Sequence, residues 1–345
     1  MGTVVALLVV VACSVTGQEP DVRPSETARA AATGTTPATS YPAARFDYAM
    51  AFDSDSGRAI MFGGFLSQQP RPVWTDETWS YDVAAHSWQL MRPSKAPSAR
   101  HYPGMAYDAN SDRVVLFGGA LPQGRLSGET WTYDVDADTW TEMRPTDSPS
   151  PRSSWAGMVY DSVGDRVILH GGWTGKEDGS DTWAYDVDIN AWTKLGDAGP
   201  RGSSLVYDAL DRRILAFGGA PAPGSRSADM WSFRLGPDVW EELSVEEGPS
   251  PRSSPMQYAA AAGKIVLFGG STTTGELDET WTYEASASAW SQRHPDPAPS
   301  ARHGFKLVYD PGSKVLLLFG GGVGSRPLDD TWSYDTQKDQ WVRLH

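Results

Sequence analysis

A chain of 345 residues with 40% apolar residues, 15 Trp, 13 Tyr and 10 Phe holds ample material for a large core, which excludes a disordered or fibrous protein. Its 29 basic and 43 acidic residues give a formal charge of −14, which repels phosphate backbones, so nucleic acid is not an expected partner. The one cysteine, Cys13, rules out an internal disulfide.

Val4 to Ala12 is an unbroken apolar run, long enough for an export-signal core and too short for a bilayer-spanning helix of roughly 20 residues. Val10-Val11-Ala12-Cys13 resembles the bacterial lipobox, a resemblance that implies a lipid on Cys13 and anchoring to a membrane. Met1-Gly2-Thr3 carries no Lys or Arg, which departs from the usual basic start of such signals. Residues 1–16 are therefore expected to be an export signal of the bacterial envelope, either lipid-anchored or simply cleaved. Residues 17–42, rich in Ala, Thr, Pro, Ser, Glu and Arg without apolar periodicity, are expected to be a disordered tether.

From residue 43 to residue 345 one phrase recurs. Val115-Leu116-Phe117-Gly118-Gly119 is followed by Thr130-Trp131-Thr132-Tyr133-Asp134 and then Trp140. The double glycine appears six times, at Gly63, Gly118, Gly171, Gly218, Gly269 and Gly320, each opening a pair, with a period of 47 to 55 residues. Tryptophans nine residues apart follow each pair, from Trp79 and Trp88 to Trp332 and Trp341.

Within the second repeat, the spacing predicts strands over 100–108, 113–117 and 129–135, with a fourth opening at Trp140 and turns at Ala109–Asp112 and Asp136–Asp138. The apolar run 113–117 reads as a strand buried on both faces. Four antiparallel strands per unit and six units predict an all-β, six-bladed propeller, with Trp side chains filling the space between sheets. The order of double glycine, Trp-Ser/Thr-Tyr-Asp and Trp resembles the kelch repeat of the galactose-oxidase-like propellers. The chain starts with a first-type strand and ends with a fourth-type strand. Closure is thus expected to rest on side-chain packing of blade one against blade six, helped by residues around Thr36 to Tyr41.

Each repeat carries an arginine near its first strand (Arg45, Arg100, Arg152, Arg201, Arg252, Arg302) and an acid two residues before its first tryptophan (Glu77, Glu129, Asp181, Asp229, Glu279, Asp330). Six of each in one register predict six structural ion pairs. Positions that vary between repeats are better candidates for function. After the arginines come Phe46, His101, Tyr102, Ser153, Trp155, Ser203, Ser253 and His303; after the double glycines come Arg71, Trp74 and Trp173. The kelch resemblance implies that these two sets of loops line the mouth of a central channel. Aromatic faces beside hydroxyl and cationic groups suit a protein or glycan ligand.

His101 and His303 occupy equivalent places without a third ligand, so neither a metal nor another cofactor is expected. Asp134-Val135-Asp136-Ala137-Asp138 lacks the later glycine and glutamate of a calcium loop and reads as a turn. Copper-radical oxidases of the same superfamily use a Tyr–Cys cross-link, which a propeller without cysteine does not supply. The expectation is a monomeric, non-catalytic binding module. The alternative is a carbohydrate-active enzyme, of epimerase, mutarotase or lyase type, with its site in the channel.

Overall fold

The computed structural model describes residues 41–67, 71–153, 157–222 and 224–345. Cys13, the export segment, the tether up to Ser40 and Trp155 lie outside them. The described residues form six four-stranded antiparallel sheets around one axis, a six-bladed β-propeller. In blade two the strands are Gly104–Asp108, Arg113–Phe117, Thr130–Asp134 and Thr139–Met143, paired in sequence order. Every blade keeps its four strands in sequence order, so no strand is exchanged between the ends of the chain.

The second strand shows why the unit repeats. Val114 and Leu116 pack with Ile60 and Phe62 of blade one. Val115 and Phe117, on the opposite side of the same strand, pack with Val167 and Leu169 of blade three. Side chains alternate across a strand, so a sheet covered on both faces needs an uninterrupted apolar run. The first strand is shorter than expected, beginning at Gly104 instead of Arg100. Tyr102, at φ +52°, turns the chain out of extended geometry, and Arg100 to Pro103 become an inter-blade loop.

Tryptophans of the fourth strands stitch the blades together. The indole of Trp140 donates to Thr78 of blade one at 2.9 Å, Trp192 to Thr130 at 2.9 Å, Trp240 to Thr182 at 3.0 Å and Trp341 to Thr280 at 3.0 Å. Trp88 donates to Thr331 at 3.1 Å across 243 residues of sequence, which closes the circle. Backbone contacts close it as well: Arg45 N–H donates to Leu328 O at 3.0 Å and Gly321 N–H to Arg45 O at 2.9 Å. Tyr41 stacks on His345 with ring centroids 3.8 Å apart. Closure thus adds main-chain bonds to the expected side-chain packing.

Candidate ligand site at the channel mouth

Five of the six arginines form the expected pairs: Arg45–Glu77, Arg100–Glu129, Arg152–Asp181, Arg252–Glu279 and Arg302–Asp330, at 2.6 to 2.7 Å. Each guanidinium also donates to a double-glycine carbonyl, as Arg100 does to Gly118 at 2.9 Å. The acid additionally accepts from the tryptophan two residues on, as Glu129 does from Trp131 at 3.0 Å. The acid-x-Trp spacing therefore completes the coordination of a buried arginine. Burial raises Asp181, but its bonds from Arg152 and Trp183 outweigh that and hold it down at about 2.

The double glycines receive the arginine's backbone. Gly119 N–H donates to Arg152 O at 2.8 Å, and a β-carbon on Gly118, at φ +73°, would lie 2.5 Å from that oxygen. Only a residue without a side chain permits this approach.

The sixth pair does not form. Arg201 binds Glu177 at 2.8 Å, while Asp229 is exposed. The reason is a shift of the loop. Ala220 N–H donates to Arg201 O just as Ala120 N–H donates to His101 O, so Arg201 stands on the rim in the place of His101. His170 fills the gap: its Nε2 lies 2.7 Å from Pro200 O and its Nδ1 2.9 Å from Thr182 Oγ1. Since a carbonyl only accepts, Nε2 carries the proton, and Nδ1 accepts from the threonine. Burial pushes this imidazole down to about 4, keeping it neutral.

First strands of all six blades line a central cavity of about 510 Å³. At one end, the tyrosine rings Tyr107, Tyr160, Tyr207, Tyr258 and Tyr309 line it with Phe52. Two of these hydroxyls donate to an aspartate of their own first hairpin, Tyr107 to Asp112 at 2.9 Å and Tyr160 to Asp165 at 2.8 Å. That end is repetitive and structural.

The other end differs from blade to blade. Asp47 is buried, with φ +59°, and its Oδ2 lies 3.8 Å from His101 Nδ1. Tyr102 also bonds the Asp47 side chain, and burial pushes both groups up. Lys306 enters the cavity from blade six, beside Asp47, and burial lowers it to about 8 against the pull of that carboxylate. The strand register equates Lys306 with Ala49, Gly104, Gly157, Ser204 and Pro255, five small residues that leave room for its stem. Tyr48 accepts from the Lys306 backbone N–H at 3.2 Å and donates to Phe319 O, fixing this strand against blade one. His303 Nδ1 lies 3.2 Å from Glu276 Oε1, whose pKa is lowered first by the Gly324 N–H.

The candidates read from sequence distribute between this mouth and its rim. Phe46 packs on Phe65 and His303 at ring distances of 5.1 and 5.6 Å, and Trp74 lies 6.0 Å from His101. Tyr102, Ser253 and His303 line the cavity. Ser153 and Ser203 are buried, Ser153 pairing its backbone with Trp173. Arg71 and Trp173 stay exposed on the rim. Asp47, Glu276 and Lys306 escape a reading of repeats, although Lys306 is visible in sequence as the one cation in its register. Among the described residues no group of three His, Cys, Asp or Glu gathers as a metal site, and no helix is long and apolar enough to cross a membrane.

Six blades with this arginine, glycine and tryptophan frame define a kelch β-propeller. The chain belongs to the KLHDC2/KLHL20/DRC7 Kelch-repeats domain family, which it matches over residues 21–203 and 196–345. It is similar to Adagio-like protein 3 of Oryza sativa subsp. japonica, 29% identical over 77% of this chain and 45% of that protein. An F-box/kelch-repeat protein of Arabidopsis thaliana is 27% identical over 66% of this chain and 53% of that protein. Multiple epidermal growth factor-like domains protein 8 of Homo sapiens is 27% identical over 84% of this chain and 11% of that protein. The chain thus spans about half or less of the length of these relatives.

Proposed function

We propose that this propeller is a non-catalytic binding module that recognises a protein partner through its loop face. The observation that carries the reading is the contrast within each blade: the frame repeats, while the residues after each arginine and each double glycine change. Blade-specific loops on a rigid scaffold are where recognition is built. Trp173, 38% exposed, and the exposed Arg71 offer an aromatic anchor and a cation of the kind that dominates protein interfaces. Membership in a kelch family is consistent with protein binding.

Export and lipidation of Cys13 belong to the same proposal and rest on Val4 to Ala12 and the residues before Cys13. Mass spectrometry of the mature amino terminus tests that part separately. For the binding reading, immobilised protein is expected to capture a partner from envelope extract. Capture should fall tenfold or more in Trp173→Ala/Arg71→Ala and be unchanged in Ile189→Ala, at a residue 71% exposed in a turn between a third and a fourth strand. Equal capture by both variants would refute recognition through this rim. A second reading, a carbohydrate-active enzyme, is favoured by the two carboxylate–imidazole pairs, Asp47–His101 and Glu276–His303.

A further inference from the structure

Buried polar atoms without a hydrogen-bond partner are uncommon in folded proteins, and each asks for an explanation. Among the described residues, several of them belong to the loops around one end of the channel: Asp47 Oδ1, Trp74 Nε1, His101 Nδ1, Ser203 Oγ and Arg226 Nε. Asp47 is 4% exposed and Ser203 fully buried, yet Asp47 lines the cavity. Arg226 comes from the loop of blade four, and its charge acts on Tyr102 of blade two.

We propose that this end of the channel is a binding site for one neutral sugar residue, or a polyol of that size, held within the cavity. Three observations select that class. The unmatched atoms include an obligate acceptor, Asp47 Oδ1, obligate donors on Trp74 and Arg226, and a hydroxyl on Ser203 that does both. Of these residues only Asp47 lines the cavity, beside the hydroxyls of Tyr102 and Ser253 and the Lys306 side chain, and a ligand bearing several hydroxyl groups suits such a mixed set, because each hydroxyl donates and accepts.

Charge narrows the choice. Asp47 already faces Lys306 and His101, and Glu276 faces His303. A ligand with a net charge would add an uncompensated ion to a buried, balanced set, which costs more than a neutral polar guest. Size and surface agree: about 510 Å³ lies within the range of roughly 300 to 1,000 Å³ of small-molecule pockets, and Tyr102 lines the cavity with Asp47 and Lys306. A flat aromatic face of this kind packs against the carbon-bound hydrogens of a pyranose.

Local backbone geometry supports a built site. Asp47 and Tyr102 both occupy positive φ, at +59° and +52°, a conformation that residues other than glycine rarely adopt without a purpose. Gly304 makes room for the carboxylate: a β-carbon there would lie 2.5 Å from Asp47 Oδ1.

The site is distinct from the rim of the proposed protein interface, so the two proposals can fail separately. Titration of the purified protein with glucose, galactose, mannose, N-acetylglucosamine and inositol, followed by saturation-transfer NMR and calorimetry, is expected to show saturable binding of at least one. Asp47→Asn and Lys306→Met should each weaken it tenfold or more, and Trp173→Ala should leave it unchanged. Lys306→Met reads the site without touching the strained loop and serves should Asp47→Asn fail to fold. Three results would overturn the inference: no binding by any of these neutral probes at millimolar concentration, binding indifferent to the channel variants, or tighter binding of glucuronate or glucosamine than of every neutral probe.

Discussion

Five junctions between neighbouring blades are built alike, and the one between blades three and four is not. At the five, an arginine carbonyl accepts from the second glycine of the preceding blade, and its guanidinium is locked in its own blade. At the exception, the chain Trp240 to Thr182 to His170 to Pro200 O passes hydrogen bonds from indole to carbonyl through a neutral imidazole. The lesson is that the junction requires a donor for a buried carbonyl and not a particular residue. Arg201, freed from the frame, becomes a rim residue bound to Glu177.

The largest difference should appear on removing the arginines. Arg152→Ala leaves a partly buried Asp181 and the Gly171 carbonyl without their donor and is expected to cost about 3–5 kcal/mol. Arg201→Ala breaks an exposed pair and is expected to cost about 0–1 kcal/mol. Urea denaturation midpoints measure both. Equal losses would mean that Arg201 is as structural as the other five.

Acid separates the junctions next. The folded His170 imidazole titrates at about 4 against an ordinary 6.5, so the unfolded chain takes up the proton first as pH falls. Its contribution is full above about pH 6.5, and about 3 kcal/mol of stability is lost progressively down to about pH 4. Protonation would also turn Nδ1 into a donor facing the Thr182 hydroxyl. Arg152 and Asp181 are the charged groups nearest this ring, and Asp181 titrates at about 2, below the window. His170→Phe, which restores the side chain of the neighbouring blades, is expected to be less stable at pH 7. Its deficit should then shrink as pH falls from 6.5 to 4. A constant gap between the two proteins across that range would remove His170 as the source.

These differences explain what sequence could and could not show. Blade number, second strands and the tryptophan series were legible because the same packing problem recurs in each unit, so the same residues recur. Arg201 was misread because an arginine is present near the expected place. A better signal is the serine two residues ahead: Ser98, Ser150, Ser250 and Ser300 accept from their arginines, and Ala43 holds that place before Arg45, whereas Gly199 stands before Arg201. Asp47, Lys306 and Glu276 were missed for the opposite reason. Asp47 and Lys306 have no counterpart of their kind in the other blades, an acid in the place of Glu276 recurs only as Asp178, and only the register of the first strands and the fold of the loops bring them to one place.

The smallest effects concern the threonines that receive the indoles. Thr78→Val removes a single bond, from Trp140, and is expected to cost about 1 kcal/mol. Blade four already has Met230 in the threonine's place, packed in one cluster with Trp290, so the contact is tolerably replaced by apolar burial. Thr182→Val should cost about twice as much, since the same hydroxyl serves Trp240 and His170. The decisive measurement is a double-mutant cycle. Thr182→Val and His170→Phe share a hydrogen-bonded chain and should be non-additive by about 0.5 kcal/mol or more, whereas Thr78→Val and His170→Phe lie two blades apart and should add. Additivity in both pairs would mean that the imidazole holds Pro200 without help from the threonine, and that the third junction is a single contact and not a relay.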